Sequence, residues 1–337
     1  MIMKQKLMTL FTLLLASVSM SATPPEACED LGSVQGKATI TFTRYAVKYL
    51  PGVFSVATGS GSGTKVRFAQ GNLQYRAESG VWHFAENQWN YLGTGGGNQT
   101  PAAKRESQTQ LIDLFGWGTS GATAADFGTG ATATCNMPWA VSTNNADYAP
   151  GGSTAVSITQ GSGYEEADWA WHNKIQNGGN TVHTWRVLSI GEWSYIFRTR
   201  TNAANLYGFG KVHGVNGVIL LCDGWDWTSS DVNGVDIATA AATANFTWTP
   251  GTGAYTNNVI SNDLWAVMES AGAVFLPAAG NRSGSTVSSA GSNGRYWSSS
   301  RYNETYACYV HFTSGLLNPQ YFNDRNCGFA VRPVQGL

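Results

Sequence analysis

The stretch that most constrains this chain is residues 294–334, GRYWSSSRYNETYACYVHFTSGLLNPQYFNDRNCGFAVRPV. Its two ends form a stiff frame: Tyr296, Trp297 and the serines 298–300 on one side, Phe329, Val331, Arg332 and Pro333 on the other. A frame of this kind suits strands packed in a core, and the pattern predicts strands over 296–299, 305–312 and 328–334. The interior is crowded with Tyr, Asn, Ser, Phe, His, Cys and Asp. Tyr gives large amphipathic contact area at low entropic cost, while Asn and Ser give adaptable hydrogen bonds, so this mixture reads as a contact surface. The rest of the chain must then hold that surface still and export it.

Composition fits a large buried core. Of 337 residues, 42% are hydrophobic and only 12% charged, with 40 Gly and 13 Trp, which describes a globular chain and not a disordered one. A formal net charge of -1 supplies no clustered basic face for phosphates, so no nucleic-acid partner is expected. Residues 1–22 place Lys4 and Lys6 ahead of an apolar run over 7–18, followed by Ser19, Ser21 and Ala22. That run is too short to span a bilayer and reads as a secretory signal peptide. Cys28 lies outside the apolar run, behind Pro25, Glu26 and Ala27, which argues against a lipid anchor. With no later apolar segment long enough to span, the protein is expected to be exported, at the cell surface or extracellular, with any surface attachment made through a partner. The five cysteines (28, 135, 222, 308, 327) permit disulfides but leave at least one thiol over, and spacing leaves the pairing of Cys308 with Cys327 open. No CxxC pair or His/Cys/Asp/Glu cluster stands at ligand spacing, so neither metal nor cofactor is expected. Cys222, in an apolar run, reads as a buried hydrophobe.

In chain order, residues 23–50 read as a lead-in followed by a strand over 37–49 (KATITFTRYAVKY), and Pro51-Gly52 opens one domain over 51–337. Residues 58–64 form a flexible turn; 65–76 alternate as a half-buried strand, Glu78-Ser79-Gly80 turns, and 81–92 return. Between 93 and 179 Gly, Thr, Ala, Asn and Ser dominate around aromatic islands, which predicts long ordered loops pinned by buried Trp; stacking of those indoles on a sugar is the second reading. Ser189 three residues before Glu192 is a capping box, so 184–200 holds a short helix with Trp193, Ile196 and Phe197 on one face. A second helix is expected over 262–270, with Asp263 in its first turn and Gly272 beyond its end. Strands are expected over 215–221 and 273–276. The fold class is therefore α+β, with few helices, short strands and long ordered loops.

The runs TWRVLSIGEW (184–193), VNGVILL (215–221), AVFLPAAGNRSG (273–284), GRYWSSS (294–300) and CGFAVRPV (327–334), in this order, resemble the C-type-lectin-like fold in its formylglycine-generating, sulfatase-modifying branch. The resemblance covers about 52–334 and includes large exported bacterial paralogous families. It implies a C-type-lectin-like scaffold; it implies little about chemistry, because one fold hosts many functions. Enzymes of that branch carry a close pair of catalytic, copper-binding cysteines, whereas Cys308 and Cys327 stand far apart in unlike surroundings. Calcium-dependent lectins of the fold carry Glu-Pro-Asn or Gln-Pro-Asp with Trp-Asn-Asp, and none of these triplets occurs.

A further relative within the fold is the set of proteins diversified by retroelements, in which template adenines at AAY codons are mutated in a C-terminal variable region. Tyr302, Asn303, Tyr306, Cys308, Tyr309, His311, Asn318, Tyr321, Phe322, Asn323, Asp324, Asn326 and Cys327 all belong to the residue set reachable from AAY. Glu304 and Gln320 do not, and would be fixed positions. The plainer alternative is a family preference for Tyr and Asn in this hairpin. Together with Arg301 these residues form the expected ligand-binding face, Tyr and Phe as anchors and Asn and Asp as polar contacts, with Trp297, Phe329 and Val331 as support. The reading is an exported, non-catalytic binding protein whose ligand is a protein or a glycan. The alternative is a structural or adhesin-type subunit of a bacterial surface assembly that adds residues 37–49 as a strand to a partner; an oxidase of the formylglycine-generating type is a more distant reading. His83, His172, His183 and His213 read as structural or surface residues, Glu165, Glu166 and Asp168 as a solvated acidic loop near Trp169 and Trp171, and Arg332 as a tie from the last strand to backbone or carboxylate.

Overall fold

The computed structural model describes residues 49–59, 63–99, 110–127 and 135–337. The signal peptide expected over 1–22 and, apart from Tyr49, the strand expected over 37–49 lie outside the described residues. Strand β1 (Phe54–Ser55) pairs with β2 (Lys65–Phe68), in which Val66 and Phe68 are fully buried and Lys65 is exposed. The strand expected across 65–76 is in fact two. The chain breaks at Gly71, where a Cβ would stand 2.4 Å from the carbonyl oxygen of Ala85, and resumes as β3 (Leu73–Arg76). This break carries the chain between two cores: Val66 and Phe68 belong to one apolar cluster, Leu73 and Tyr75 to another. As expected, β3 turns through Glu78-Ser79-Gly80 into β4 (Val81–Phe84), and β5 (Leu111–Ile112) flanks β3 on its other side.

From there to residue 189 the described chain is mostly ordered loop with short 3-10 turns and one helical turn, α1 (Trp169–His172). Loops carry unpaired backbone groups, and buried ones need partners. The indole N–H of Trp117 donates to the Ser298 carbonyl at 2.9 Å, that of Trp169 to Thr119 Oγ1 at 2.9 Å, and that of Trp185 to the Gly178 carbonyl at 2.8 Å. All three rings are fully buried, so these three indoles pin the loops and offer no face to a sugar. Trp171, half-buried, stacks on His183.

The capping box forms as read. Ser189 Oγ accepts from Glu192 N and Glu192 Oε2 accepts from Ser189 N, opening α2 (Ile190–Ser194), which continues into a π-turn over Tyr195–Thr199 that buries Ile196 and Phe197. Strand β6 (Tyr207–Val212) carries no alternating signature because Gly208 and Gly210 interrupt it; a Cβ on Gly210 would lie 2.3 Å from the Asn258 carbonyl oxygen, so glycine is what lets the next strand close in. It pairs with β7 (Val215–Leu220). After α3 (Ile237–Thr243) come β8 (Asn258–Ile260), parallel to β6, and α4 (Asn262–Ser270), capped by Ser261 and stopped at Gly272 as expected. Strand β9 (Val274–Pro277) completes a sheet of order β8-β6-β7-β9.

A short hairpin of β10 (Asn281–Ser283) and β11 (Thr286–Ser288) leads into β12 (Asn293–Arg301), β13 (Tyr306–Thr313) and β14 (Leu316–Asp324), an antiparallel sheet with β13 central. The strands expected at 296–299 and 305–312 are present. The strand expected over 328–334 is not continuous: Gly328, Phe329 and Ala330 make single bridges to Arg282, Phe115 and Tyr296, and only Val334 enters β15 (Val334–Gly336), which pairs with β2. An extended segment wedged among three partners cannot keep a ladder with one. The molecule is thus α+β, with four short α-helices and many short strands in small sheets among the described residues. No described helix is long and apolar enough to cross a membrane.

Arg332 corrects one expectation. It is fully buried and donates to Asn72 Oδ1 at 3.2 Å and Gln88 Oε1 at 2.6 Å, so its partners are neutral amides and not backbone or carboxylate. Burial pushes its guanidinium down to about 10. Gln88 is in turn held by Glu269 Oε1 and the Ala273 carbonyl. Replacing Arg332 with Ala leaves a cavity and takes the donor from the buried Asn72 Oδ1, while Gln88 Oε1 keeps the Phe275 N–H, and is expected to cost about 2–4 kcal/mol of stability. Chemical denaturation of the Arg332→Ala variant checks this, and a cost near zero contradicts it.

Candidate ligand-binding face

Cross-strand register sets which side chains meet. Arg295 stands opposite His311 and Trp297 opposite Tyr309 on the β12 side, while Tyr309 faces Tyr321 and Cys308 faces Phe322 on the β14 side. Direct cross-strand neighbours interact most strongly, so each row becomes one packed unit. Strand β14 is the sheet edge, with Pro319 removing one backbone donor from it, and both of its faces reach solvent. Tyr321 (43% exposed) and Phe322 (39%) lie ring beside ring, 5.9 Å between centroids, with Tyr302 (53%) next to Phe322. The Tyr302 and Phe322 rings stack at 3.9 Å with only 4° between planes, and Tyr306 lies 5.6 Å from Phe322. Tyr321 meets Tyr309 edge-on at 5.5 Å and His311 at 5.4 Å.

The rings of Tyr306, Tyr309, His311, Tyr321 and Phe322 border a cleft of about 390 Å³. Seven of the expected residues line it, Tyr306, Tyr309, His311, Tyr321, Phe322, Asn323 and Asp324, together with Arg295. Arg295 was invisible in the sequence because it sits inside the apolar frame; its guanidinium lies 5.5 Å over the Phe329 ring. The ring nitrogens of His311 and Nε of Arg295 meet no hydrogen-bond partner among the described residues. Burial, with the nearby Arg295 charge, pushes the His311 imidazole down to about 4, so it is neutral near pH 7. The cleft therefore offers aromatic faces, a neutral imidazole, a carboxylate and one guanidinium.

Three expected contact residues are not at the surface. Tyr309 is 1% exposed, packed 4.6 Å from Phe329 and edge-on to Trp297, so it forms the cleft floor and its hydroxyl is pushed up to about 12 by burial. Cys308 points inward, its Sγ 3.6 Å from the Arg301 carbonyl. Asn326 is buried, its amide donating to the Thr143 carbonyl and Asn145 Oδ1, and so ties the end of the hairpin to a loop. The central strand is covered on both faces, and residue type alone does not tell which face is covered. Cys327 is half-buried; the four described cysteines are all free thiols, so Cys308 and Cys327 are not joined.

The remaining residues of the set shape the edges. Arg301 is exposed with its N–H on Ser157 Oγ. Asn303 accepts from the Thr305 and Tyr306 amides and so makes the turn, and Asn318 accepts from Gln320 N. Asp324 accepts from Asn145 Nδ2. Beneath them the buried Arg325, 5.1 Å over the Trp117 ring, donates to the Asn303 and Thr154 carbonyls. Trp297, Phe329 and Val331 are fully buried under this end of the sheet.

Elsewhere, the acidic loop is not simply solvated. Asp168 is buried, accepting from Ala170 N and Val187 N, and burial raises its carboxyl to about 6. Glu166 takes His172 Nδ1 at 2.8 Å and His183 Nε2 at 2.9 Å, which brings together two histidines that look scattered in the sequence. Among the described residues no group of three or more His, Cys, Asp or Glu is placed to hold a metal ion.

A histidine held neutral by its site favours the folded state only while it stays neutral. The stability tied to His311 is fully present above the ordinary histidine value of 6.5 and is lost as pH falls from there toward about 4. The melting temperature of the His311→Gln variant is therefore expected to gain on wild type across that window; a constant difference contradicts the shift. A family model described as a domain of unknown function (DUF8237) matches residues 252–334, a span that contains the whole of this face. No curated protein and no solved structure matches the chain.

Proposed function

We propose that the chain is an exported, non-catalytic binding protein that presents the β12–β14 end of its sheet as a recognition surface for a protein or glycan, on a C-type-lectin-like scaffold. The observation that carries this is the concentration of exposed aromatics. Of eight exposed large hydrophobic residues among the described ones, three stand together here: Tyr321 and Phe322 border the cleft, and Tyr302 stacks on Phe322 beside it. Exposed apolar residues scattered singly are ordinary; a contiguous aromatic group over a packed support is the pattern of a binding anchor. The support is stiff, because the floor residue Tyr309 rests on Trp297 and Phe329. The scaffold assignment rests on the ordered runs of sequence from 184 to 334 and accords with the mixed architecture of short strands, few helices and long loops.

Under the same reading the hairpin is a region diversified by a retroelement, and burial sorts its positions. Tyr302, Asn303, Tyr306, Asn318, Tyr321 and Phe322 are open to solvent or half-open, whereas Cys308, Tyr309 and Asn326 are buried. Sequencing the locus across isolates is expected to show substitutions concentrated in the first group, beside a reverse-transcriptase gene and a near-copy of the final coding segment. Uniform sequence, or variation spread evenly over the whole chain, contradicts diversification.

The binding claim is tested with an array of purified surface glycans and extracellular proteins probed by the exported chain. The double variant Tyr321→Ala, Phe322→Ala is expected to lose its array partner by roughly 100-fold, with its melting temperature nearly unchanged. Retained binding, or unfolding of the variant, overturns the assignment of these rings as anchors.

A further inference from the structure

A second aromatic cluster lies on the segment joining β7 to β8, separate from the hairpin. Trp227 stands at its centre, with ring centroids 5.4 Å from Trp225, 5.4 Å from Trp248 and 5.5 Å from Phe246. These rings border a cleft of about 520 Å³. Trp225 is buried as its base, while Trp227, Phe246 and Trp248 are half-buried and keep part of their surface open. Asn202, Asn205 and Asp226 stand at the rim. Among the described residues no Lys, Arg or His lines this cleft.

We propose that this cleft binds a neutral oligosaccharide, its indole faces carrying the C–H face of a pyranose ring and the rim amides and carboxylate taking its hydroxyls. Three observations select that ligand class. Core indoles of this chain, such as Trp117 and Trp169, are fully buried and donate to an oxygen inside the protein. Trp227 and Trp248 instead leave part of their surface open at a cleft. Binding pockets are in general apolar and aromatic with a few placed polar groups, which is the composition here.

Ring spacing decides against the other common use of clustered aromatics. A cage for a quaternary ammonium needs ring faces separated enough for the cation to sit between them. Here Trp227 packs against each of its three neighbours at centroid distances of 5.4–5.5 Å and interplanar angles of 31–64°, so the rings form one packed, faceted wall with no slot between them. The rim charge selects among sugars. Asp226 is exposed, its Oδ1 already accepting from Thr228 N and Oγ1 at 2.8 Å, and no cation stands across the cleft to balance it or to attract a uronic or sialic acid. Asn205 is held in place, its amide donating to Asn202 Oδ1 at 2.6 Å and its carbonyl accepting from Trp248 Nε1 at 3.0 Å, so the rim and the wall are one preset unit.

The test uses the exported full-length chain with four neutral probes: cellohexaose, chitohexaose, xylohexaose and α-mannohexaose. Saturation-transfer NMR and tryptophan fluorescence are expected to register at least one of them. Trp248→Ala is expected to weaken that affinity about tenfold or more. The exposed Asp226→Ala change, which carries little risk to folding, weakens it by a smaller factor. Tyr321→Ala with Phe322→Ala leaves it unchanged, which separates this cleft from the hairpin face. Trp248→Phe guards against a folding defect, because it keeps an aromatic filler but narrows the wall, and it is expected to fall between wild type and Ala. The proposal is overturned if none of the four hexasaccharides binds, if both Trp248 variants bind as wild type does, or if tetramethylammonium perturbs the tryptophan signal where the sugars do not.

Discussion

Two tryptophans hold the functional end of this molecule together by reaching past one another. Trp117 donates its indole N–H to the carbonyl of Ser298, and Trp297, next to that serine, donates to the carbonyl of Phe115 at 2.7 Å. The two segments lie far apart in the chain, and both rings are fully buried. A loop with no ladder of its own leaves backbone acceptors that must be paired when buried. This reciprocal pair gives one donor to the Ser298 carbonyl of β12 and a second to the Phe115 carbonyl, which also takes the Phe329 N–H, and in the same act clamps β12 to the loop beneath it. The register of β12 fixes β13, and β13 fixes the edge strand that carries the exposed rings. The composition, rich in Trp and poor in charge, follows from that requirement: an indole offers a large apolar body and one directed donor.

Buried arginines extend the same logic at greater cost. Arg282, Arg325 and Arg332 are fully buried. Arg282 spreads its guanidinium over the carbonyls of Leu114, Gly284 and Ala140, which joins three segments that share no strand. Arg325 holds the Asn303 turn from below, and Arg332 spans Asn72 and Gln88. All three use neutral acceptors, and burial lowers each guanidinium below its usual range. A buried cation without a carboxylate is weak evidence for stability. Its value here is directional: the rigid forks of Arg282 and Arg325 each tie separate backbone segments and that of Arg332 ties two side-chain amides, a task that apolar packing does not perform.

Much of this architecture is legible in the sequence where a local rule decides. The Ser189–Glu192 capping box, the helix at 262–270 and the turn at Gly80 each depend on a few adjacent residues, and each forms as read. Strand β6 escaped because Gly208 and Gly210 erase the alternation, their purpose being the close approach of Asn258, which no local window contains. Strand β14 escaped because Asn318 and Pro319 look like loop residues, though an edge strand tolerates them. At the hairpin face the exposed anchors Tyr302, Tyr321 and Phe322 were recognisable by type. Tyr309 was not distinguishable from them, since the same residue serves as a floor when its strand is central. The meeting of His172 and His183 on Glu166 depends on how two loops fold back, and leaves no signature in spacing.

The account stands on a division of labour among chemically similar rings: some face outward for contact, and others are sealed beneath as support. Hydroxyl-radical footprinting of the full chain, read residue by residue by mass spectrometry, measures that division directly. The structure predicts rapid labelling of Tyr302, Tyr321 and Phe322, with Trp117, Trp297, Tyr309 and Phe329 protected until the protein unfolds. Protection of Tyr321 and Phe322 together with labelling of Trp297 would reverse the two roles and contradict the account.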